Sequence, residues 1–140
     1  IMDNVIPSSS SAMVRALFKL ATLFDNADYQ AIADQVFANV YPHIQQYGSA
    51  YSNWAIALLE QVYGLQEIAL LGEDAQKWRK ELDKSYFPNK VTLGGIKSTL
   101  PLLRNKEDMK SKAYLCVHKT CSLPLTSVDQ LLELLHNNRA

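Results

Sequence analysis

The sequence predicts a mixed α and α/β fold: antiparallel helices followed by a small three-stranded parallel sheet with flanking helices. Three observations carry this. Apolar residues recur at helical spacing from about residue 9 to 63. Short apolar runs closed by glycine appear only after Gly64. A helical pattern separates the first two runs, the spacing of a βαβ unit, whose strands run parallel with a right-handed crossover. The expected division is therefore a helical segment over 1–64 and a small α/β segment over 65–140.

The elements follow in order. Ser8 to Ser11 offer N-cap hydroxyls to a first helix, which ends at Asp25-Asn26. Met13, Leu17, Leu20 and Phe24 form its expected buried stripe, with Arg15, Lys19 and Thr22 on the opposite face. A second helix begins near Asp28 and places Tyr29, Ile32, Val36, Val40 and Ile44 on one stripe. Pro42 is expected to kink or end it, because proline has no backbone N–H to donate. Gly48 then breaks the chain, and a third helix runs from about Ser49 to Tyr63 with Tyr51, Trp54, Leu58 and Val62 facing inward. The connections are short, which implies antiparallel neighbours.

In the second half, Glu67 to Gly72 reads as a buried strand. A helix from about Asp74 to Tyr86 buries Ala75, Trp78 and Leu82. Its acidic start and basic end suit the helix dipole. Pro88-Asn89 turns the chain into a second strand over Lys90 to Gly94. The stretch from Gly95 to Lys112 ends in "RNKEDMKSK", which reads as a charged loop. A third strand follows over Ala113 to Val117. Thr126 or Ser127 then caps a last helix, with Gln130 as capping-box partner and Leu131, Leu134 and Leu135 on its apolar face.

Composition bounds the function. The chain has 140 residues, enough for one domain, and 48% of them are hydrophobic. Fourteen basic residues balance fourteen acidic ones, so no global field attracts nucleic acid or an anionic membrane. No apolar run approaches the roughly 20 residues of a membrane helix. Two cysteines are too few for a disulfide scaffold, so a reducing, cytoplasmic setting is the default. The chain opens on Ile1 without a leader, which reads as a piece of a longer polypeptide.

Candidate chemistry is sparse. "AYLCVHKTCSLP" holds both cysteines, with His118 between them. Three readings stay open: packing at a strand end, a redox pair, and a metal site. Packing is the favoured reading, because structural zinc sites use four ligands drawn from two knuckles, and a redox pair more naturally spans two residues at a helix start. No metal and no cofactor are expected. Gly72 and Gly94-Gly95 follow strands but match no phosphate-binding pattern. His43 reads as a surface or interface residue. Trp54, Trp78, Tyr29, Tyr51 and Tyr63 could stack on sugar rings, although core packing is the commoner fate of such stripes. Asp3 and Ser8 to Ser11 read first as a helix cap.

Three stretches, taken in order, resemble one family: "DNVIPSSSS" before a helix, "LGEDAQKWRKEL…YFPNKVTLGG", and "AYLCVHKTCSLPLTSVDQLLELL". Nearly the whole chain resembles the C-terminal region of the thioredoxin-domain-containing YyaL-type and spermatogenesis-associated protein family. The resemblance implies a parent with a thioredoxin-like domain, then an α/α toroid similar to sugar 2-epimerases and six-hairpin glycosidases, then a short α/β segment. Helices 1 to 3 would be the last of that toroid. Asp3, Pro7, Ser8 and Ser11 match a shared motif, and Ser10 departs from the family's Asn. By this resemblance Asp3 and Ser8 line the toroid cavity. Cys116, Cys121 and Pro124 match a shared Cys-x4-Cys-x2-Pro pattern, making Cys116 and Cys121 the candidate thiol pair, whereas His118 lies outside it. The catalytic residues are unknown. The expected partners are the remainder of the parent chain and, through an exposed helical face, a second copy of this chain. The expected function is carbohydrate binding or processing by the parent, with this piece inactive alone. A redox-linked scaffold is the alternative.

Overall fold

The computed structural model describes residues 1–96, 99–104, 106 and 110–138. The chain forms two units, Ile1–Tyr63 and Gly64–Ala140, each taken by itself below.

The first unit contains α1 (Ser9–Phe24), α2 (Ala27–Gln46), a 3-10 turn (Gly48–Tyr51) and α3 (Ser52–Tyr63). Ser8 caps α1 by accepting from the Ser11 N–H, as its hydroxyl predicts. Asp25 closes the helix in the left-handed conformation (φ 50°), and Asn26 immediately caps α2 through the N–H groups of Asp28 and Tyr29. α2 does not end at Pro42 but runs on to Gln46, and the next turn still closes with Tyr47 N–H on His43 O.

The core of this unit takes in Val40, Ile44, Tyr51 and Trp54 as expected, but α1 turns a stripe one residue off the expected one inward. α1 buries Ser11, Val14, Phe18 and Ala21, while Met13, Leu20 and Phe24 are exposed. α2 buries Ala33, Val40 and Ile44 and leaves Tyr29, Ile32 and Val36 in the open. In α3, Tyr51 from the preceding turn, Trp54 and Ala57 are buried, whereas Leu58 is half-buried and Ile56, Leu59, Val62 and Tyr63 are exposed. Each helix thus carries two apolar stripes. Periodicity shows that both exist but not which one a neighbour covers. Phe37 sits at the centre, 6.2 Å in ring centroid from both Phe18 and Trp54.

The second unit is built on β1 (Gln66–Leu71), α4 (Ala75–Leu82), β2 (Lys90–Gly95), a 3-10 turn (Pro101–Leu103), β3 (Lys112–Val117), β4 (Thr120–Cys121) and α5 (Val128–Asn137). The sheet order is β2-β1-β3-β4. β1 and β2 pair in parallel, Ile68 opposite Thr92, as the βαβ spacing requires.

The sheet is not the three parallel strands expected. β3 runs antiparallel to β1, with Ile68 opposite Leu115, and β4 adds a fourth strand antiparallel to β3. A parallel third strand would need another crossover, usually a helix. Among the described residues between β2 and β3 there is only the 3-10 turn, so β3 joins the free edge of β1 from the other direction. The expected "RNKEDMKSK" loop falls partly on 105 and 107–109, outside the described residues.

Side-chain alternation gives the sheet two covered faces. Ile68, Leu70, Ala113 and Leu115 pack under α4 and α5 with Trp78, Leu82, Leu131 and Leu135. Ala69, Leu71 and Cys116 face the other way, under Leu102 and Leu103 of the 3-10 turn. Burying each of Leu82, Leu131 and Leu135 completely contributes about 2 kcal/mol. Ser127 caps α5 through Gln130 N–H, and the Gln130 amide oxygen accepts in return from Thr126 N–H rather than from Ser127.

Candidate functional site

Two clusters collect the chemistry-bearing side chains, one in each unit.

In the helical unit Asp3 is buried and its carboxylate is saturated with donors. Oδ1 accepts from Ser8 N–H (2.9 Å) and Ser11 Oγ (2.6 Å), and Oδ2 from the N–H groups of Asn53 (2.8 Å) and Trp54 (3.4 Å). These last two belong to the first turn of α3, whose N–H groups have no partner within the helix. One carboxylate therefore fastens the starts of two helices. Burial alone would raise the Asp3 pKa, but the Ser11 hydroxyl and the three backbone donors outweigh it and hold the group below its ordinary value. Ser8 Oγ and the Trp54 indole N–H both donate to Ile1 O, at 3.0 and 2.8 Å.

The network continues inward. Asn53 donates from Nδ2 to Ser11 Oγ (2.9 Å) and accepts at Oδ1 from Arg15 (2.8 Å). Arg15 also grips buried Glu60 with two nitrogens, and Lys19 approaches the same carboxylate at 3.7 Å. Arg15 is thus turned toward α3, not placed on a solvent face as expected. The structure brings Asp3 and Ser8 together; Asn53 and Glu60 are additions that sequence reading missed. No local pattern marks a partner some 45 residues away.

In the α/β unit Cys116 and Cys121 are bonded to each other, Cα–Cα 3.9 Å. They are direct register partners in the β3–β4 hairpin, whose two-residue loop is His118-Lys119. Both loop residues have positive φ, 48° and 65°, the conformation a two-residue loop of right-handed twist demands. Neither is a glycine, so each costs about 1 kcal/mol or more. The paired cysteines close the hairpin beside this unfavourable turn.

Cys116 is fully buried and Cys121 half-buried. Lys106 Nζ lies 3.5 Å from Cys121 Sγ, 2.7 Å from Leu102 O and 5.3 Å above the Tyr114 ring. Its partial burial pulls its pKa down, against the nearby Glu67 charge. Glu67 is the β1 register partner of Cys116, so the two share one face of the sheet. That carboxyl is buried. Desolvation pushes its pKa up, only partly offset by the Lys119 backbone N–H and the charges of Lys106, Lys119 and His118. Glu67 and Lys106 were not foreseen. A period-two reading of "EIALL" does put Glu67 on the face of Ala69 and Leu71, and an acid there was the available signal.

His43 stacks on Tyr51 (6.1 Å) and His136 meets Phe87 edge-on (5.2 Å), so the histidines serve separate neighbourhoods. Among the described residues no group of three His, Cys, Asp or Glu is placed to hold a metal ion. Trp54 and Trp78 are both in cores. No described helix is long and apolar enough to cross a membrane.

Fold and clusters together define a two-part chain: a helix layer pinned by a carboxylate, and a mixed α/β sheet carrying a cross-strand disulfide. It is similar to spermatogenesis-associated protein 20 of Homo sapiens, 26% identical over 148 aligned residues, and to that of Rattus norvegicus, 25% identical over 147. Both alignments take in 96% of this chain but 19% of the relative, so the chain spans about a fifth of the relatives it matches. The similarity supports a distant family relation. No family model and no solved structure matches the chain.

Proposed function

We propose that this chain acts as the C-terminal portion of a larger protein, its helical unit completing an α/α toroid that binds or processes carbohydrate. The observation that carries the reading is the second apolar stripe on every helix of the first unit. Phe24 is 52% exposed, Ile32 50% and Leu59 53%, each with apolar neighbours at helical spacing. Apolar rows of this kind mark surfaces built to be covered. Further helices of the parent are the natural cover, and the relatives' greater length supplies room for them. By resemblance, Asp3 and Ser8 lie at the cavity wall and a thioredoxin-like domain precedes the toroid. The setting is the cytoplasm, where the Cys116–Cys121 bond would be reversible rather than permanent.

The test is sedimentation of this chain alone and joined to the preceding helices of its parent. Alone it should self-associate at micromolar concentration; joined, it should become monomeric and melt higher. A chain that is monomeric alone, with a melting temperature unchanged by the upstream helices, refutes the toroid reading. Sugar binding is read on the longer protein by thermal shift, since a ligand of the native state raises stability. A panel of monosaccharides and oligosaccharides with no shift rejects the carbohydrate part. The bonded cysteines favour one second reading, a non-enzymatic redox-linked scaffold, which would survive that result.

A further inference from the structure

We propose that Cys116 and Cys121 form a reversible dithiol–disulfide exchange site, with Cys121 as the accessible sulfur, Lys106 as the cation beside it and Glu67 as the proton donor and acceptor for Cys116. This goes beyond the toroid reading and does not depend on it.

The geometry makes the two sulfurs unequal. Cys116 is sealed beneath the 3-10 turn with Ala69, Leu71 and Leu103, so an incoming thiolate can reach only Cys121. Attack at Cys121 Sγ forms a mixed disulfide and breaks the Cys116–Cys121 bond, and the electron pair of that bond leaves on Cys116 Sγ. A bare thiolate in an apolar pocket is costly, so it takes a proton. Glu67 stands directly across on β1, on the same face and buried, and is the acid within that neighbourhood. The second thiol of a dithiol reductant then attacks its own sulfur in the mixed disulfide. The reductant departs as a disulfide and the pair leaves on Cys121 Sγ. Lys106 Nζ is already 3.5 Å from that sulfur and stabilises it as thiolate. The balance is two electrons from the dithiol to the protein, one proton retained on Cys116 and one released to water once Glu67 is reprotonated.

Among the described residues, the charged and titratable groups facing the site include Glu67 on β1, Lys106 after the 3-10 turn, Tyr114 on β3, and His118 and Lys119 in the hairpin. The shifts of Glu67 upward and Lys106 downward suit proton exchange nearer neutrality than either group shows in water. The hairpin also favours reversibility: the left-handed turn works against the closed form, while the bond favours it.

The experiment equilibrates the whole chain in dithiothreitol buffers of graded poise without denaturant, traps with iodoacetamide and reads intact mass. The expected result is one two-electron transition between an unlabelled and a doubly labelled species, with circular dichroism unchanged. In the reduced protein Cys121 should label about tenfold faster than Cys116, because it is partly exposed and held as thiolate whereas Cys116 is buried and protonated. Lys106→Gln should raise the thiolate midpoint, read by ultraviolet absorbance, by about one pH unit, and Lys106→Arg should restore it. Glu67→Gln should flatten the pH profile of reduction. Reduction only in denaturant, equal labelling of the two cysteines, or a midpoint unmoved by Lys106→Gln would overturn the proposal. If Lys106→Gln loses its dichroism signal, the wild-type labelling ratio and the Lys106→Arg midpoint still decide.

Discussion

Replacing Asp3 with asparagine isolates what one carboxylate does for the helical unit. Both oxygens face donors: Ser8 N–H and Ser11 Oγ on one, Asn53 and Trp54 N–H on the other. Asparagine keeps the shape but turns one acceptor into an NH2 group. If that group faces Ser8, the hydroxyl of Ser11 can rotate, but the Ser8 N–H is orphaned. If it faces α3, two N–H groups of the helix start are orphaned. Either orientation also removes the charge that strengthens the remaining bonds. A buried donor left unpaired costs about 1–3 kcal/mol, so the total expected for Asp3→Asn is about 2–4 kcal/mol. In a unit of this size that lowers Tm by roughly 10–25 °C. The assay is urea and thermal unfolding followed by far-ultraviolet dichroism, with Trp54 fluorescence reporting on this unit. The sign with pH follows from the lowered pKa. Stability from Asp3 is complete above the unfolded value of about 3.8 and is lost as pH falls through the lower folded value. Asp3→Asn should therefore abolish an acid-limb loss as well as stability at pH 7. A variant within 0.5 kcal/mol of wild type (about the scatter of neutral surface changes), with an unchanged acid limb, would refute the anchoring argument.

Three further expectations concern the α/β unit. Gly72 has φ 84°, and a Cβ there would lie 2.8 Å from the Lys110 carbonyl, so Gly72→Ala should cost about 2–4 kcal/mol in chemical denaturation. Leu131→Ala empties a fully buried position between α5 and the sheet and should cost about 2–5 kcal/mol in chemical denaturation, towards the low end if the core collapses around it. Glu67 has a raised pKa, so its ionisation opposes folding: wild-type stability should fall as pH rises from about 4.5 through the folded value. Glu67→Gln should remove that slope and be the more stable protein at pH 8, measured by urea midpoints across pH.

The elements that sequence reading placed correctly are those with local signals. Ser8 and Ser127 cap the helices that follow them, and the parallel pair β1 and β2 flanks α4 because spacing alone demands it. Misreadings arose where the decision lies at a distance. Met13 and Val14 are equally good core candidates within α1; only the arrival of Phe37, Val40 and Trp54 makes Val14 the buried one. The direction of β3 depends on the connection from β2, whose described residues hold only a 3-10 turn, not on any property of "KAYLCV". The partnership of Arg15 with Glu60 has no signature in either segment, since each reads as an ordinary charged helix position. The residues alone favoured simple packing for the cysteines, and the disulfide corrects that: their union required knowing that a two-residue turn places them opposite each other.

The placement of β1 also sets an order of events. It is an inner strand, with β2 on one side and β3 on the other. β2 follows β1 after one helix, whereas β3 is reached only after β2 and a further excursion, so the loop that closes β3 onto β1 is the longer of the two. Loop-closure entropy therefore favours β1–α4–β2 as the first structured piece, with β3, the hairpin and α5 joining afterwards. During that interval the unpaired side of β1, whose last four residues are all apolar, is open to any other extended chain. Pulse-labelled hydrogen exchange should find Thr92 protected before Tyr114.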